Sequence, residues 1–223
     1  EFAEAVEGAP DFEAAAREQV STTLKEHQRI IFNGNGYSEE WPKEAARRGL
    51  LNLESAVDAL PSIIADKNVA LYEEFGILTK TELQSRYEVK LEQYSKLVNI
   101  EARTMLRMAR QMYLPAVSDY AANVASNITA VKDACADAST MAEEKTLAKL
   151  SKGSDDIYTL IQDLIDLVEK ARYIEDDLEQ ARCYHDEVLP KMSALRQVVD
   201  KLERIVDDEY WPVPSYNKML FYV

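Results

Sequence analysis

The spacing of apolar residues divides the chain into three parts with different predicted structures. Over residues 1–78 the apolar positions fall in short runs interrupted by glycine, asparagine and proline, which is typical of short helices joined by turns. From Thr79 apolar or small residues recur every three or four positions, the spacing of a helix face that packs on a partner helix. Residues 210–223 carry two prolines that cannot continue such a helix.

The long-helix pattern occurs twice and predicts an antiparallel pair. The first seam comprises Leu91, Tyr94, Val98, Ala102, Met105, Ala109, Met112, Ala116, Tyr120, Val124, Ile128, Val131 and Ala134. The second comprises Ile157, Ile161, Leu164, Val168, Ala171, Ile174, Leu178, Ala181, His185, Val188, Met192, Leu195, Val199, Leu202 and Val206, with one slip between Ala171 and Ile174. Ser151-Lys152-Gly153-Ser154 is the turn signal between them, and Ser154 suits a helix N-cap. We therefore predict an all-α fold with a long, coiled-coil-like helical hairpin over 79–209 that turns near 151–154.

The first part is predicted from its caps and breakers. Asp11 should cap a helix that reaches about Phe32, and Asn33-Gly34-Asn35-Gly36 should end it, since Asn and Gly tolerate a positive φ. Ser38 is the expected N-cap of the next helix, which Gly49 should end. Two further short helices are predicted at 53–60 and 62–75, the second ending at Gly76.

The tail over 210–223 is predicted to be an extended strap. A turn near 151–154 would place the strap beside the N-terminal helices, where Trp211, Tyr216, Phe221 and Tyr222 would bury their rings. The same register would place Pro190 beside Pro115, so both long helices should be distorted at one level.

Charge and composition restrict the classes of function. The formal net charge is −14, which repels phosphate backbones and anionic membranes, so we expect neither a nucleic-acid nor a membrane partner. No segment has the roughly 18 apolar residues of a membrane helix, and the first residues do not form a signal peptide. The chain begins without methionine, so we expect it to be cut from a longer protein. Two cysteines without a metal-type cluster favour a reduced, cytoplasmic setting.

The residues that could carry chemistry do not form a recognisable site. Neither His27 nor His185 follows a glutamate by three positions, so the di-iron motif of helical bundles is missing. Cys183 and His185 are two apart on a helix and point to different faces, and His185 is interpreted as a hydrogen-bonded seam residue. In the predicted register Cys135 lies about 14 residues along the bundle from Cys183, so both thiols are expected to be separate, buried small hydrophobes.

Two polar segments resemble binding motifs and receive simpler interpretations. The acidic runs Glu175-Asp176-Asp177 and Asp207-Asp208-Glu209 fan around a helix and are expected to be solvated. Asn33-Gly34-Asn35-Gly36 lacks the lysine and hydroxyl of a phosphate-binding loop and is interpreted as a helix-ending turn. We therefore predict no catalytic, cofactor-binding or metal-binding residue in this chain.

Several segments together resemble the C-terminal region of type III glutamine synthetases. Near the N-terminus these are Ile31-Phe32-Asn33-Gly34-Asn35-Gly36-Tyr37-Ser38, Glu40-Trp41 and Arg48-Gly49-Leu50. Similar segments in the long helices and the tail are Phe75-Gly76-Ile77, Glu82-Leu83, Ser85-Arg86-Tyr87-Glu88, Asn99-Ile100-Glu101-Ala102, Glu187-Val188-Leu189-Pro190, Tyr210-Trp211-Pro212 and Phe221.

The resemblance implies a non-catalytic region of a larger enzyme. The family ligates ammonia to glutamate with ATP and a divalent metal such as Mg²⁺, in double-ring cytoplasmic assemblies, and its chemistry lies in an upstream catalytic domain. The resemblance therefore implies that residues 1–78 link to that domain, and that the partners are the catalytic domain and other subunits of a homo-oligomer. An independent helical protein–protein interaction module is the alternative.

Overall fold

The structure is a computed structural model that describes residues 2–214 and 216–220, with only the backbone at residues 216 and 217. All regular elements in these ranges are helical, which confirms the predicted all-α class. The chain forms two compact units, Glu1–Ser55 and Ala56–Val223. The boundary therefore lies before the position near residue 78 at which the sequence pattern changes.

The first unit consists of short helices joined by turns. Its elements are α1 (Phe2–Val6), α2 (Phe12–Glu26), a 3₁₀ turn (Gln28–Ile30) and α3 (Glu40–Arg47). Asp11 caps α2 as predicted, because its side chain accepts a hydrogen bond from the Ala14 N–H at 3.0 Å. Gly49 follows α3 with φ of 72° and is therefore the predicted left-handed stop.

Two boundaries in this unit differ from the prediction. The first is the end of α2, which lies at Glu26 and not near Phe32. The second is the start of α3, which Glu39 precedes in place of Ser38. The Ser38 N–H and hydroxyl instead both donate to the Asn35 carbonyl, at 3.1 and 2.9 Å, so Ser38 belongs to the turn that precedes α3. The Asn-Gly segment is a turn, but the glycines with positive φ in the described ranges are at positions 8, 49 and 76.

The second unit begins with two short helices near the predicted positions, although the first starts at Ala56 and not at 53, and the second starts at Asp66 and not at 62. They are α4 (Ala56–Ala59), which continues into a 3₁₀ segment (Leu60–Ile64), and α5 (Asp66–Glu74). Gly76, with φ of 61°, follows α5. Thr79 and Glu82 then form a capping box, in which each side chain bonds the other residue's backbone N–H, and the first long helix starts there.

Three long arms make up the rest of this unit. The first arm is α6 (Lys80–Met108), a π-helical turn (Ala109–Tyr113) and α7 (Leu114–Ala134). The second arm is α8 (Met141–Arg172). The third arm is α9 (Asp177–Cys183), a second π-helical turn (Tyr184–Val188) and α10 (Leu189–Glu203).

Ion pairs between the arms establish their directions. Arg103 on the first arm pairs with Glu169 near the end of the second, at 3.8 Å. Lys170 pairs with Glu187 at 2.6 Å, and Asp163 with Lys191 at 3.0 Å, so later residues of the third arm meet earlier residues of the second. Adjacent arms therefore run antiparallel, and the chain makes two reversals where one was predicted.

The predicted turn at 151–154 is wrong, because α8 runs through these residues. Gly153 is buried, and a Cβ atom added to it would lie 2.6 Å from Leu202 Cδ2. The Ser154 hydroxyl donates to the Leu150 carbonyl at 3.1 Å, within the helix. The glycine therefore allows α8 and α10 to approach closely and does not reverse the chain.

The two actual reversals have few turn residues in the sequence. The first spans Cys135–Thr140, where the Ala138 N–H donates to the Cys135 carbonyl at 3.0 Å and Lys132 Nζ to the Ala138 carbonyl at 2.7 Å. The second spans 173–176 and coincides with the slip between Ala171 and Ile174. Gln180 Nε2 holds it by donating to the carbonyls of Ala171 and Ile174, at 3.2 and 3.1 Å.

Both prolines of the long arms follow a π-helical turn. The Leu114 N–H donates to the Ala109 carbonyl, and the Leu189 N–H to the Tyr184 carbonyl, five residues earlier in each case. A wider turn removes the clash between a proline ring and the carbonyl four residues before it. A π-helical turn therefore stands at each proline, where bends of both arms at one level were predicted, and the register behind that prediction depended on the turn at 151–154.

The predicted seams supply most of the core between the arms. Leu91, Val98, Ala102, Ala109, Ala116 and Val124 are buried on the first arm, as are most second-seam residues. His185 is an exception, because the π-helical turn rotates Tyr184 into the core in its place. Val131 and Ala134 are exposed near the first reversal.

The tail begins docked on the first arm. Trp211 is buried and stacks on Tyr113 with ring centroids 5.2 Å apart, and Tyr210 contacts Tyr120 at 5.4 Å. Its docking site is thus the middle of the first arm, because two chain reversals replace one. Tyr216–Leu220 form a short helix, α11, where an extended strap was predicted. Phe221 and Tyr222, which were expected to dock, lie outside the described residues.

Candidate functional site

A compact cluster in the first unit joins residues that the sequence separates. We call Phe32, Gly34, Trp41, Glu44 and Arg48 the Arg48 cluster. The rings of Phe32 and Trp41 stack with centroids 4.4 Å apart, and the Arg48 guanidinium carbon lies 5.8 and 5.9 Å from these two centroids. Cation–π attraction and ring stacking therefore hold together a region in which Val6 and Ala45 are the buried side chains among residues 2–55.

Arg48 also satisfies backbone carbonyls that the end of the 3₁₀ turn leaves open. Its Nη1 donates to the carbonyl of Ile31 at 2.6 Å and to that of Arg29 at 3.3 Å. Its Nε donates to Glu44 Oε1 at 2.6 Å. One side chain therefore ties the segment before the Asn-Gly turn to α3.

Glu44 is held between two arginines. Arg47 donates through Nε and Nη2 to the two carboxylate oxygens, at 2.7 and 2.6 Å. These bonds, and then that from Arg48, lower the pKa of Glu44 to about 2. The carboxylate therefore remains charged at any pH near neutral.

Gly34 is required by a close approach to the Phe32 ring. A Cβ atom at this position would lie 2.4 Å from Phe32 Cζ, although the residue does not take a positive φ. The Asn-Gly segment thus lies against the Phe32 ring of the stacked pair. The chain turns here as predicted, but the segment does not end α2, which stops at Glu26, and Gly34 has a packing reason.

A basic groove of about 900 Å³ adjoins the Arg48 cluster. Its cationic lining consists of Lys25, Arg29, Arg47 and Arg48, and its apolar lining of Leu24, Ile31 and Phe32. Leu24 also ends a stripe of α2 that includes Ala16 and Val20, and both Val20 and Leu24 are about half exposed. The groove combines positive charge with an uncovered apolar surface.

A second groove lies within the bundle, between α6 and α10. It has a volume of about 670 Å³ and is lined largely by apolar side chains, including Met105, Met108 and Met192. Val213, Pro214 and Met219 close one side of it. Met105, which belongs to the first predicted seam, thus lines a groove and is not fully enclosed in the core.

The residues considered for chemistry remain apart. Among the described residues no group of three or more His, Cys, Asp or Glu is placed to hold a metal ion. His185 pairs through Nδ1 with Asp186 at 2.7 Å, while His27 follows α2 with its N–H on the Thr23 carbonyl. Asp176, in the first acidic run, caps α9 by accepting from the Glu179 N–H at 2.9 Å.

The two cysteines differ in exposure, which corrects half of the prediction. Cys183 is buried, and burial followed by the charge of Glu187 raises the pKa of its thiol. Cys135 is exposed, because it begins the first reversal and not a helix seam.

No helix in the described ranges has the length and apolarity needed to cross a membrane.

Sequence reasoning did not identify the Arg48 cluster as a site. Its members extend from Phe32 to Arg48, and no periodic pattern connects them. A weak signal was present, since a tryptophan and paired arginines flank a glycine-rich turn in a region with few other large apolar residues.

Comparison with known proteins gives consistent matches. The glutamine synthetase C-terminal domain family matches residues 15–132. The chain is 37% identical over 210 residues to a glutamine synthetase of Butyrivibrio fibrisolvens, covering 92% of this chain and 29% of that protein. It is 33% identical over 206 residues to the type-3 glutamine synthetase of Dictyostelium discoideum, covering 91% and 28%. A glutamine synthetase of Bacteroides fragilis (strain YCH46) is 34% identical over 212 residues, covering 92% and 29%. The chain thus spans less than a third of the length of each of these relatives.

Proposed function

This chain belongs to the glutamine synthetase C-terminal domain family, and we propose that it is the non-catalytic helical region of a glutamine synthetase polypeptide that serves subunit shape and oligomer assembly. The observation that carries the proposal is the partial coverage of the relatives. Nearly all of this chain aligns with them, while more than two thirds of each relative lies outside the match. The chemistry of the parent enzyme is therefore assigned to the part that this chain does not include.

In the proposed parent the reaction is the ATP-dependent ligation of ammonia to glutamate. We assign ATP and Mg²⁺ to the upstream catalytic domain, and this assignment agrees with the described residues, among which no group of three or more His, Cys, Asp or Glu is placed to hold a metal ion. What this chain contributes is surface. The half-exposed apolar stripe of α2 and the two grooves are surfaces of the kind that cover neighbouring domains or subunits.

The proposed partners follow from the same assignment. They are the upstream catalytic domain and other subunits of a cytoplasmic homo-oligomer. The net charge of −14 argues against nucleic acid and anionic membranes as partners.

The test compares the parent enzyme with and without residues 1–223. Assembly is measured by light scattering after size exclusion, and specific activity by formation of γ-glutamyl product. We expect the truncated enzyme to assemble into smaller or unstable particles, and the isolated chain to show no turnover with glutamate, ATP, ammonia and Mg²⁺. Unchanged assembly of the truncated enzyme would contradict the assembly role. Turnover by the isolated chain above a heat-killed control would contradict the non-catalytic assignment.

The alternative is an independent interaction module, and the extensive core of residues 56–220 favours it. Such a module would be produced without a catalytic domain in the same polypeptide. Detection of the protein in cell extracts with an antibody against this region distinguishes the two, because a module would run near 25.3 kDa and the parent enzyme at more than three times that mass.

A further inference from the structure

The basic groove is an unusual concentration of positive charge in this protein. Residues 1–55 contain six lysines and arginines, of which four line the groove, against eleven aspartates and glutamates. The groove is therefore locally cationic on a chain whose formal net charge is −14. Segregation of this kind creates a site for a partner of opposite charge.

Two of these cations are not engaged by the protein's own acids. Arg48 and Arg47 both bond Glu44, and Arg48 also serves two backbone carbonyls. Lys25 and Arg29, by contrast, form no ion pair with any carboxylate in the part of the chain that the structure describes. Arg47 is about three-quarters exposed, so its remaining donors also face solvent.

The backbone and the apolar walls add to this surface. Within the described ranges, the N–H groups of Asn33 and Gly34, which line the groove, donate to no acceptor. Ile31 and Leu24 are 40% and 53% exposed, and Val20 extends the apolar surface along α2. A ligand that carries both carboxylate and apolar side chains would therefore bind this surface more tightly than a ligand that carries only one kind.

We propose that the basic groove binds an acidic protein segment, whose carboxylates contact Lys25, Arg29 and Arg47 and whose apolar side chains cover Leu24, Ile31 and the α2 stripe. The groove is open and partly apolar and adjoins the apolar stripe of α2, which suits an extended or helical peptide better than a small anion. A small anion would leave Leu24, Ile31 and the α2 stripe uncovered, whereas the apolar side chains of a peptide would cover them. In the proposed parent enzyme the acidic segment belongs to the catalytic domain or a neighbouring subunit. Only this assignment of the segment to the parent enzyme rests on the proposed function.

The direct test measures binding to the 223-residue chain. The probe is a synthetic twelve-residue peptide in which glutamates alternate with leucine and tyrosine, labelled for fluorescence anisotropy, and its twin has glutamine in place of glutamate. We expect the acidic peptide to bind and its twin to bind at least about tenfold more weakly. Affinity should fall as salt rises from 50 to 500 mM, because exposed charge pairs are screened.

Matched charge variants locate the site. The groove variant is Lys25→Gln with Arg29→Gln, and the control is Lys43→Gln with Lys67→Gln, which removes the same charge at exposed positions outside both the groove lining and the α2 stripe. We expect the groove variant to lose at least about tenfold in affinity and the control to lose less than about twofold. Circular dichroism checks that both variants fold, and Leu24→Ser tests the apolar contribution with no change in charge.

Three results would contradict a peptide site in the groove. Equal losses in the groove and control variants would overturn the proposal, since only net charge would then matter. Equal binding of the glutamine twin would overturn the role of carboxylates. Displacement of the peptide by millimolar inorganic phosphate would replace a peptide site with a general anion site. None of these results bears on the assembly test of the truncated enzyme, so the two proposals can fail separately.

Discussion

The two units of this chain maintain their structures by different means. In residues 56–220 three antiparallel arms share one core, with Leu150, Ile157, Leu164, Val188 and Leu195 fully buried. In residues 2–55 two side chains are buried, and stacked rings, one guanidinium and local caps carry the structure. Nonlocal apolar packing makes unfolding cooperative, whereas a small polar and aromatic cluster can open locally. The first unit is therefore the one in which partner binding has most scope to change stability.

The largest effect is expected at Trp211, where the tail joins the core. Trp211→Ala should lower the free energy of unfolding by about 3–5 kcal/mol, because it removes a buried ring that stacks on Tyr113. Trp211→Phe should retain most of this stability, since Nε1 finds no hydrogen-bond partner among the described residues. Urea unfolding followed by circular dichroism measures both. Equal losses for the two variants would contradict the expectation that Trp211→Phe keeps most of the stability. Deletion of residues 211–223 should likewise lower the melting temperature while barely changing helix content.

Gly153 tests the close approach of two arms. Gly153→Leu should destabilise the chain by about 2–3 kcal/mol, because the new side chain would enter the space that Leu202 fills. Ser151→Leu places the same side chain on an exposed position of the same helix and should change stability by less than about 0.5 kcal/mol. Equal stability of the two variants would contradict a close approach between Gly153 and Leu202.

Arg48 tests whether the first unit depends on one side chain. Arg48→Met should speed hydrogen exchange of the protected amides in residues 40–50 by about tenfold. The substitution removes the hydrogen bonds from Arg48 to backbone carbonyls and two cation–π contacts, and each of these interactions is worth up to about 1 kcal/mol. Arg47→Met, at a more exposed position, should have a smaller effect. Exchange in α8 should not change in either variant. A matching increase in α8 would mean that the two units unfold together.

The cysteines test the position of the first reversal. Cys135 should react with a thiol reagent at least about tenfold faster than Cys183, which is buried and whose pKa is raised. Mass spectrometry of partly labelled protein gives the two rates. Comparable rates would place Cys135 on a buried helix face, as a turn near 151–154 would require.

The smallest expected effect is the acid response of the Arg48 cluster. The pKa of Glu44 is lowered from 4.5 to about 2, so its contribution to stability is present above pH 4.5 and is lost as the pH falls through about 2. Exchange of the α3 amides between pH 5 and 2 should therefore show a loss of protection that Glu44→Gln lacks. The pair is exposed, so the difference should be small. If the wild-type chain and Glu44→Gln lost protection identically between pH 5 and 2, Glu44 would not contribute to the acid response.

Some of this structure was predictable because its causes are local or periodic. Asp11, Gly49, Gly76 and the start of the first arm at Thr79 are where the capping and turn chemistry placed them. The predicted seams are largely buried, because apolar residues spaced three and four positions apart lie on one face of a helix, and that face is the one that packs in the core. The resemblance also rested on real structure, since Phe32, Gly34, Trp41 and Arg48 belong to segments that carried it.

The number of reversals could not be predicted from turn chemistry. The strongest turn signal, at 151–154, lies inside a helix because Gly153 is required by the space that Leu202 occupies, and Leu202 lies 49 positions later in the chain. The true reversals, at 135–140 and 173–176, use side chains and carbonyls that any surface segment possesses. The predicted register of Pro115 with Pro190 rested on that error, and the wrong docking site of Trp211 followed from it.

By itself the sequence determined the all-α class, the apolar faces of the helices, some of their caps and the family. Each of these depends on neighbours within one or two turns of helix, or on residues held in common with relatives. The tertiary structure alone decided how many arms the bundle has and that Leu202 packs against Gly153. It also decided that Lys25, Arg29, Arg47 and Arg48 line one groove. These depend on contacts between residues far apart in the chain, where the free energy of packing outweighs local preference.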